Sequence, residues 1–124
     1  MSEGALKIEE EKNITIASFL DIAMLDETSV KKLGDELETL IKGRDKITLV
    51  IDFSNIEFVS SAVLGRLVKV RKIIKSKDGK LALCSMKKDL KQVFKVTKLD
   101  RVLKIYDDRD KAIKSFKSLG GLFG

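Results

Sequence analysis

The chain has 124 residues, 44% of them hydrophobic and 35% charged, with 25 Lys plus Arg against 19 Asp plus Glu for a net charge of +6. That length and balance describe one charge-rich globular domain with enough apolar residues for its own core. The absence of histidine excludes Ser-His-Asp and Cys-His catalysis and His-based metal sites, and a lone cysteine excludes an internal disulfide.

Residues 6–11 alternate apolar and polar at their start and read as a short edge strand, Lys12-Asn13 as a turn, and Ile14 to Ala17 as a second strand, so the chain opens on a hairpin. Phe19 and Leu20 continue that strand and Asp21 ends it. Asp26 or Thr28 is placed to cap the next helix, in which Val30, Leu33, Leu37, Leu40 and Ile41 make a one-faced stripe and Gly43 the stop. Residues 47–51 are nearly all apolar and β-branched, the mark of a central strand covered on both faces. A second helix is expected from about Ser61 to Lys75, with Leu64, Leu67, Val68 or Arg71, and Ile74 inward and Arg66, Lys69, Lys72 and Lys75 solvated.

Lys77-Asp78-Gly79 is a turn before a fourth strand over residues 80–85, which contains Cys84 as a small buried hydrophobe. A short helix follows over residues 89–96, with Leu90, Val93 and Phe94 as its core side. Residues 102–105 are extended, and a last helix spans residues 107–116 with acids at its start and lysines at its end. The core is expected over about residues 6–116, leaving 117–124 as a flexible tail. The order β-β-α-β-α-β-α-(β)-α defines an α/β domain on a small mixed sheet of four to five strands with about four helices.

The stretch between the third strand and second helix carries the functional signal. A polar loop, Asp52 to Asn55, is followed by Ile56, Phe58 and Val59, and then Ser60 and Ser61 open an amphipathic helix. Hydroxyls there can cap the helix, bind an anion or accept a phosphate. No glycine-rich phosphate loop or Walker lysine accompanies them, and no paired acids follow the first strand. The cations are interleaved with acids, which reads as a solvated surface, so neither a nucleic-acid nor a membrane partner is expected. Met1-Ser2-Glu3-Gly4 lacks a basic start and an apolar signal region, and no apolar run approaches the ~20 residues of a spanning helix, so a cytoplasmic location is expected.

The pattern resembles the STAS domain, the family of bacterial anti-sigma factor antagonists, over about residues 6–116. The family's strand, Asp-Leu-Ser, aromatic and Asp-Ser-Ser/Ala/Thr-Gly-Leu-Gly run is matched by Asp52-Phe53-Ser54, Phe58 and Ser60-Ser61-Ala62-Val63-Leu64-Gly65. Gly79-Lys80-Leu81-Ala82-Leu83-Cys84 followed by Val93 to Asp100 resembles a second family block, and Leu20-Asp21 resembles the family's Leu-Asp after the second strand.

The resemblance implies a switch. The serine after the motif Asp is phosphorylated by a partner anti-sigma factor that is itself a Ser/Thr kinase; unmodified protein binds that partner, phosphorylated protein releases it, and a phosphatase resets the cycle. The alignment places Ser61 at the acceptor position, with Ser60 as the alternative acceptor. Ser60 stands where the family has Asp, and Val63 where it has Gly. The partner surface is expected to include Asp21, Met24, Phe58, Val59, Ser60, Ala62 and Val63. The domain is then a substrate and not an enzyme, with no cofactor and no metal. Two alternatives stay open: a non-phosphorylated STAS scaffold or regulatory module, and a small nucleotide- or anion-binding protein using the Ser60-Ser61 helix start.

Overall fold

A computed structural model describes residues 6–19, 27–57 and 59–123, leaving aside the side chains of 27–30 and 117–123. Asp21, Met24, Asp26 and Phe58 therefore lie outside the described residues, as does Leu20. Five strands, β1 (Leu6–Glu11), β2 (Ile14–Phe19), β3 (Thr48–Asp52), β4 (Lys80–Cys84) and β5 (Ile105–Tyr106), form one sheet in the order β1-β2-β3-β4-β5. The hairpin is present: β1 pairs antiparallel with β2, and Lys12 and Asn13 take the left-handed φ values of 52° and 70° that a two-residue turn needs to follow the strand twist. Every other pairing is parallel, so each requires a crossover.

Those crossovers are α1 (Glu27–Lys42), α2 (Ser61–Ser76), and α3 (Lys88–Val96) followed by a 3-10 turn at Leu99–Arg101. Right-handed crossovers that advance one strand at a time put their helices on a single face, and the burial pattern agrees. Leu33, Leu37 and Ile41 of α1, Leu67, Val70 and Ile74 of α2, and Leu90 and Phe94 of α3 share one core with Leu49, Ile51 and Leu83. The alternate strand residues Ile16, Val50, Ala82 and Cys84 turn to the other face, where Ala112 and Ile113 of α4 (Arg109–Phe123) cover them. Both faces of β2 and β3 are thereby buried, as their largely apolar sequences require.

Several boundaries and faces differ from the sequence expectation. Thr28 falls inside the first turn of α1 rather than at a cap. In α2 the buried residues are Val63, Leu67, Val70 and Ile74, while Leu64 is only half-buried. Valines and leucines on both sides make the apolar face broad, and periodicity alone does not locate its centre. In α3 the core side is Leu90 and Phe94; Val93 is 36% exposed. Residues 99–102 coil into the 3-10 turn, so the fifth strand shortens to Ile105–Tyr106. The backbone of α4 stays helical to Phe123, through residues expected to be tail, and its last turn carries no basic residue.

The α1–α2 contact is electrostatic as well as apolar. Glu38 of α1 gathers Lys69 at 3.2 Å, Arg66 at 3.5 Å and Lys42 at 3.7 Å. The hydrogen bond from Lys69, helped by the charges of Lys42 and Arg66, holds its carboxyl below the usual carboxylate range. Arg66, expected to be solvated, is thus drawn to the helix seam. A Cβ on Gly79 would lie 2.6 Å from the Ile47 carbonyl oxygen, which only a glycine avoids, and Gly79 donates to the Ile74 carbonyl at 2.8 Å. That close approach carries the chain from α2 directly into β4.

Candidate functional site

The loop from β3 to α2 is anchored from Asp52 to Ile56. Asp52 ends β3 buried, and one of its oxygens accepts from the Ser54 N–H at 2.8 Å, a short-range turn of the kind aspartates favour. Phe53 donates its N–H to the Cys84 carbonyl at 2.9 Å, and its ring is fully buried between Phe19, 5.0 Å away, and Phe94, 6.4 Å away. Asn55 donates to the Phe19 carbonyl at the end of β2, and Ile56 returns to the core. The polar loop read from the sequence is therefore pinned by a buried aromatic at its second position.

The two serines divide the work. Ser60 is the N-cap, extended at φ −82° and ψ 166°, and its hydroxyl accepts from the Val63 N–H at 3.3 Å. Ser61 is the first helical residue, where the sequence places the start of this helix. It is exposed, and its hydroxyl has no hydrogen-bond partner among the described residues. The Ser61 and Ala62 N–H groups are likewise without partners there, the ordinary condition of a helix start. No acid occupies the first turn of α2. Farther along the loop, Glu57 pairs with Lys87 at 3.7 Å, both largely exposed.

Around Ser61 the surface is low. Ala62 is exposed, and Gly65, four residues on and hence on the same face, is exposed with nothing within 4 Å of an added Cβ. Gly65 had entered the sequence reading only as part of a motif; its place one turn above Ser61 makes it part of the site. Val59 is half-buried against the core. Val63 is 2% exposed, so its side chain packs inward and is removed from the expected partner surface; the valine adds no bulk outside.

A second group was not anticipated. Arg109, opening α4, reaches back to β3: its guanidinium sits 2.9 Å from Asp52, 3.2 Å from Glu9 and 3.2 Å from the Ser18 hydroxyl. The Asp52 carboxylate thus ties α4 with one oxygen and turns the loop toward α2 with the other. Partners 57 and 100 residues apart leave no local pattern to find. Among the described residues no group of His, Cys, Asp and Glu could hold a metal ion, and no helix is long and apolar enough to cross a membrane.

Fold and site together define a single-sheet α/β domain that presents, on a flat helix start, a hydroxyl with no partner among the described residues. The chain belongs to the STAS domain family, whose model matches residues 7–112. A protein of Thermotoga maritima described as a "putative anti-sigma factor antagonist" is 39% identical over 80 residues, covering 64% of this chain and 69% of that protein. A Bordetella bronchiseptica protein, BtrV, described in the same words, is 25% identical over 96 residues, covering 77% and 81%. The solved anti-sigma-factor antagonist (STAS) domain protein of Planctomyces limnophilus superposes with a TM-score of 0.81 at 27% identity, over 92% of this chain and 98% of that one.

Proposed function

We propose that this domain is an anti-sigma factor antagonist, acting in the cytoplasm, whose partner is an anti-sigma factor with Ser/Thr kinase activity and whose switch residue is Ser61. The observation that carries the reading is the division between the serines. Ser60 spends its hydroxyl on the helix cap, while Ser61 offers an exposed, unpartnered hydroxyl on a surface kept low by Ala62 and Gly65. The relatives' descriptions support the same class of function.

The chemistry follows from position. A kinase transfers phosphate to the Ser61 hydroxyl, so the domain is the substrate and not the enzyme. The product carries about −1.5 to −2 charge at a helix N-terminus whose first two N–H groups have no partner among the described residues and whose first turn has no acid. The helix therefore tolerates the phosphate. A partner packed against Ala62 and Gly65 does not, because it meets a bulky dianion where it had met a flat surface. Unmodified protein binds, modified protein releases, and a phosphatase restores binding.

A second reading has its own observation: Ser60 stands where the family motif has Asp, so a carboxylate beside the acceptor is missing. A non-phosphorylated STAS scaffold would fit that departure. The test is incubation with the source organism's anti-sigma factor kinases and ATP, with phosphosites mapped by mass spectrometry. Label on Ser61 that is lost in Ser61→Ala and kept in Ser60→Ala is the expected result. Label that survives Ser61→Ala unchanged overturns the assignment, and a partner that binds stably without any label favours the scaffold.

A further inference from the structure

At the other end of α2 lies a cleft of about 250 Å³, enclosed by α2, the start of β4, the approach to β5, and α4. Four cations stand around it: Arg71 and Lys75 of α2, Lys80 of β4, and Lys104. Tyr106 and Phe116 supply aromatic walls. No carboxylate lines the cleft, and none of the four cationic side chains has an ion-pair or hydrogen-bond partner among the described residues. We infer that this cleft is a binding site for a small organic anion, with an aromatic or short aliphatic body against Tyr106 and Phe116 and a phosphate, sulfate or carboxylate group among Arg71, Lys75, Lys80 and Lys104.

The contrast along one helix makes the case. Arg66 and Lys69, on the α1 side of α2, share Glu38. Arg71 and Lys75, one to two turns on, have no such acid. They are four residues apart on the same face, an arrangement of like charges that disfavours a helix. Arg71 is also half-buried, and a partly desolvated cation without a counter-ion is unfavourable until an anion arrives. Its planar guanidinium can hold a phosphate or carboxylate through two parallel hydrogen bonds, while the lysines add point charges. The volume is below the roughly 300–1,000 Å³ of drug-sized sites, which selects a single ring or short chain. Ten residues of α2 separate Arg71 from Ser61, about 15 Å of helix rise, so an occupant leaves the serine surface uncovered. The inference is independent of the switch proposed above.

The probe is phenyl phosphate, titrated into ¹⁵N-labelled protein at moderate salt, with inorganic phosphate and benzyl alcohol as the two half-ligands. Saturable shifts confined to the amides around Arg71, Gly79, Lys80 and Tyr106 are expected, with tighter binding than either half-ligand. The double variant Arg71→Gln/Lys104→Gln weakens binding by about tenfold or more, as loss of charge-assisted contacts should, and Lys31→Gln, which removes one distant charge, leaves it unchanged. Val102→Glu places an acid at the rim, at a position 43% exposed where it does not disturb the core, and it too weakens binding. The site is refuted by non-saturating shifts spread over surface lysines. It is equally refuted by no shifts at the cleft, or by binding indifferent to both the double variant and Val102→Glu.

Discussion

At the scale of single residues, two adjacent serines have opposite consequences. Ser60 satisfies the Val63 N–H, so Ser60→Ala should lower stability by about 0.5–2 kcal/mol, the ordinary loss of an N-cap. The exposed Ser61 hydroxyl makes no hydrogen bond among the described residues, and Ser61→Ala should stay within about 0.5 kcal/mol of the parent. Urea unfolding of the two variants separates them; equal losses would show that Ser61 shares the cap. Cys84 ends β4 on the face that α4 covers, where burial, its largest influence, pushes the thiol from 9.0 to about 11. A raised acid pKa means that the folded protein keeps a proton the unfolded chain releases. Stability from this group is therefore full below about pH 9 and is lost as pH rises from there toward 11. At about pH 8 the native protein holds roughly a hundredfold less thiolate than the unfolded chain. Iodoacetamide should accordingly label Cys84 rapidly in urea and hardly at all in native buffer; prompt native labelling would contradict the burial.

At the scale of elements, one tie joins α4 to the loop between β3 and α2. Asp52 is buried at the end of β3, and Arg109 is its counter-ion. Arg109→Ala leaves that carboxylate without its cation and should destabilise by about 1–3 kcal/mol. Asp52→Asn in the same background should recover part of the loss, because the charge that needed a partner is gone. Chemical denaturation of the double-mutant cycle gives the coupling, and strictly additive losses would show that the pair does not act as a unit. The apolar elements were legible from local pattern: the β1–β2 hairpin from two strands around Lys12-Asn13, α1 from the period of Leu33, Leu37 and Ile41, β3 from a nearly continuous apolar run. What the period left open was the centre of a broad stripe. Hence the period puts Leu64 on the inner face of α2, where Val63 packs instead, and Val93 on that of α3, where it is partly exposed. The length of α4 was also missed, because Gly120 and Gly121 suggest an end where the backbone continues as helix to Phe123.

At the scale of the whole molecule, chain order determines more than any residue does. Parallel neighbours taken one strand at a time put α1, α2 and α3 on one side and leave the other to α4. The start of α2 therefore stands at the carboxyl end of a central strand, the edge where α/β sheets commonly place their sites. The opposite end of α2 meets Lys80, Lys104 and α4, and a net charge of +6 spread along the sequence becomes a cleft with four cations and no acid. By itself the sequence determined the α/β class, the element order, the exclusion of histidine chemistry and the serine junction, since composition and hydrophobic period are local properties that survive without a fold. Only the tertiary structure decided which serine caps and which is free, that Val63 faces inward, that Arg109 finds Asp52 across 57 residues, and that cations from separate segments surround one cleft. Those are matters of backbone dihedral and distance in space, and a linear pattern carries neither.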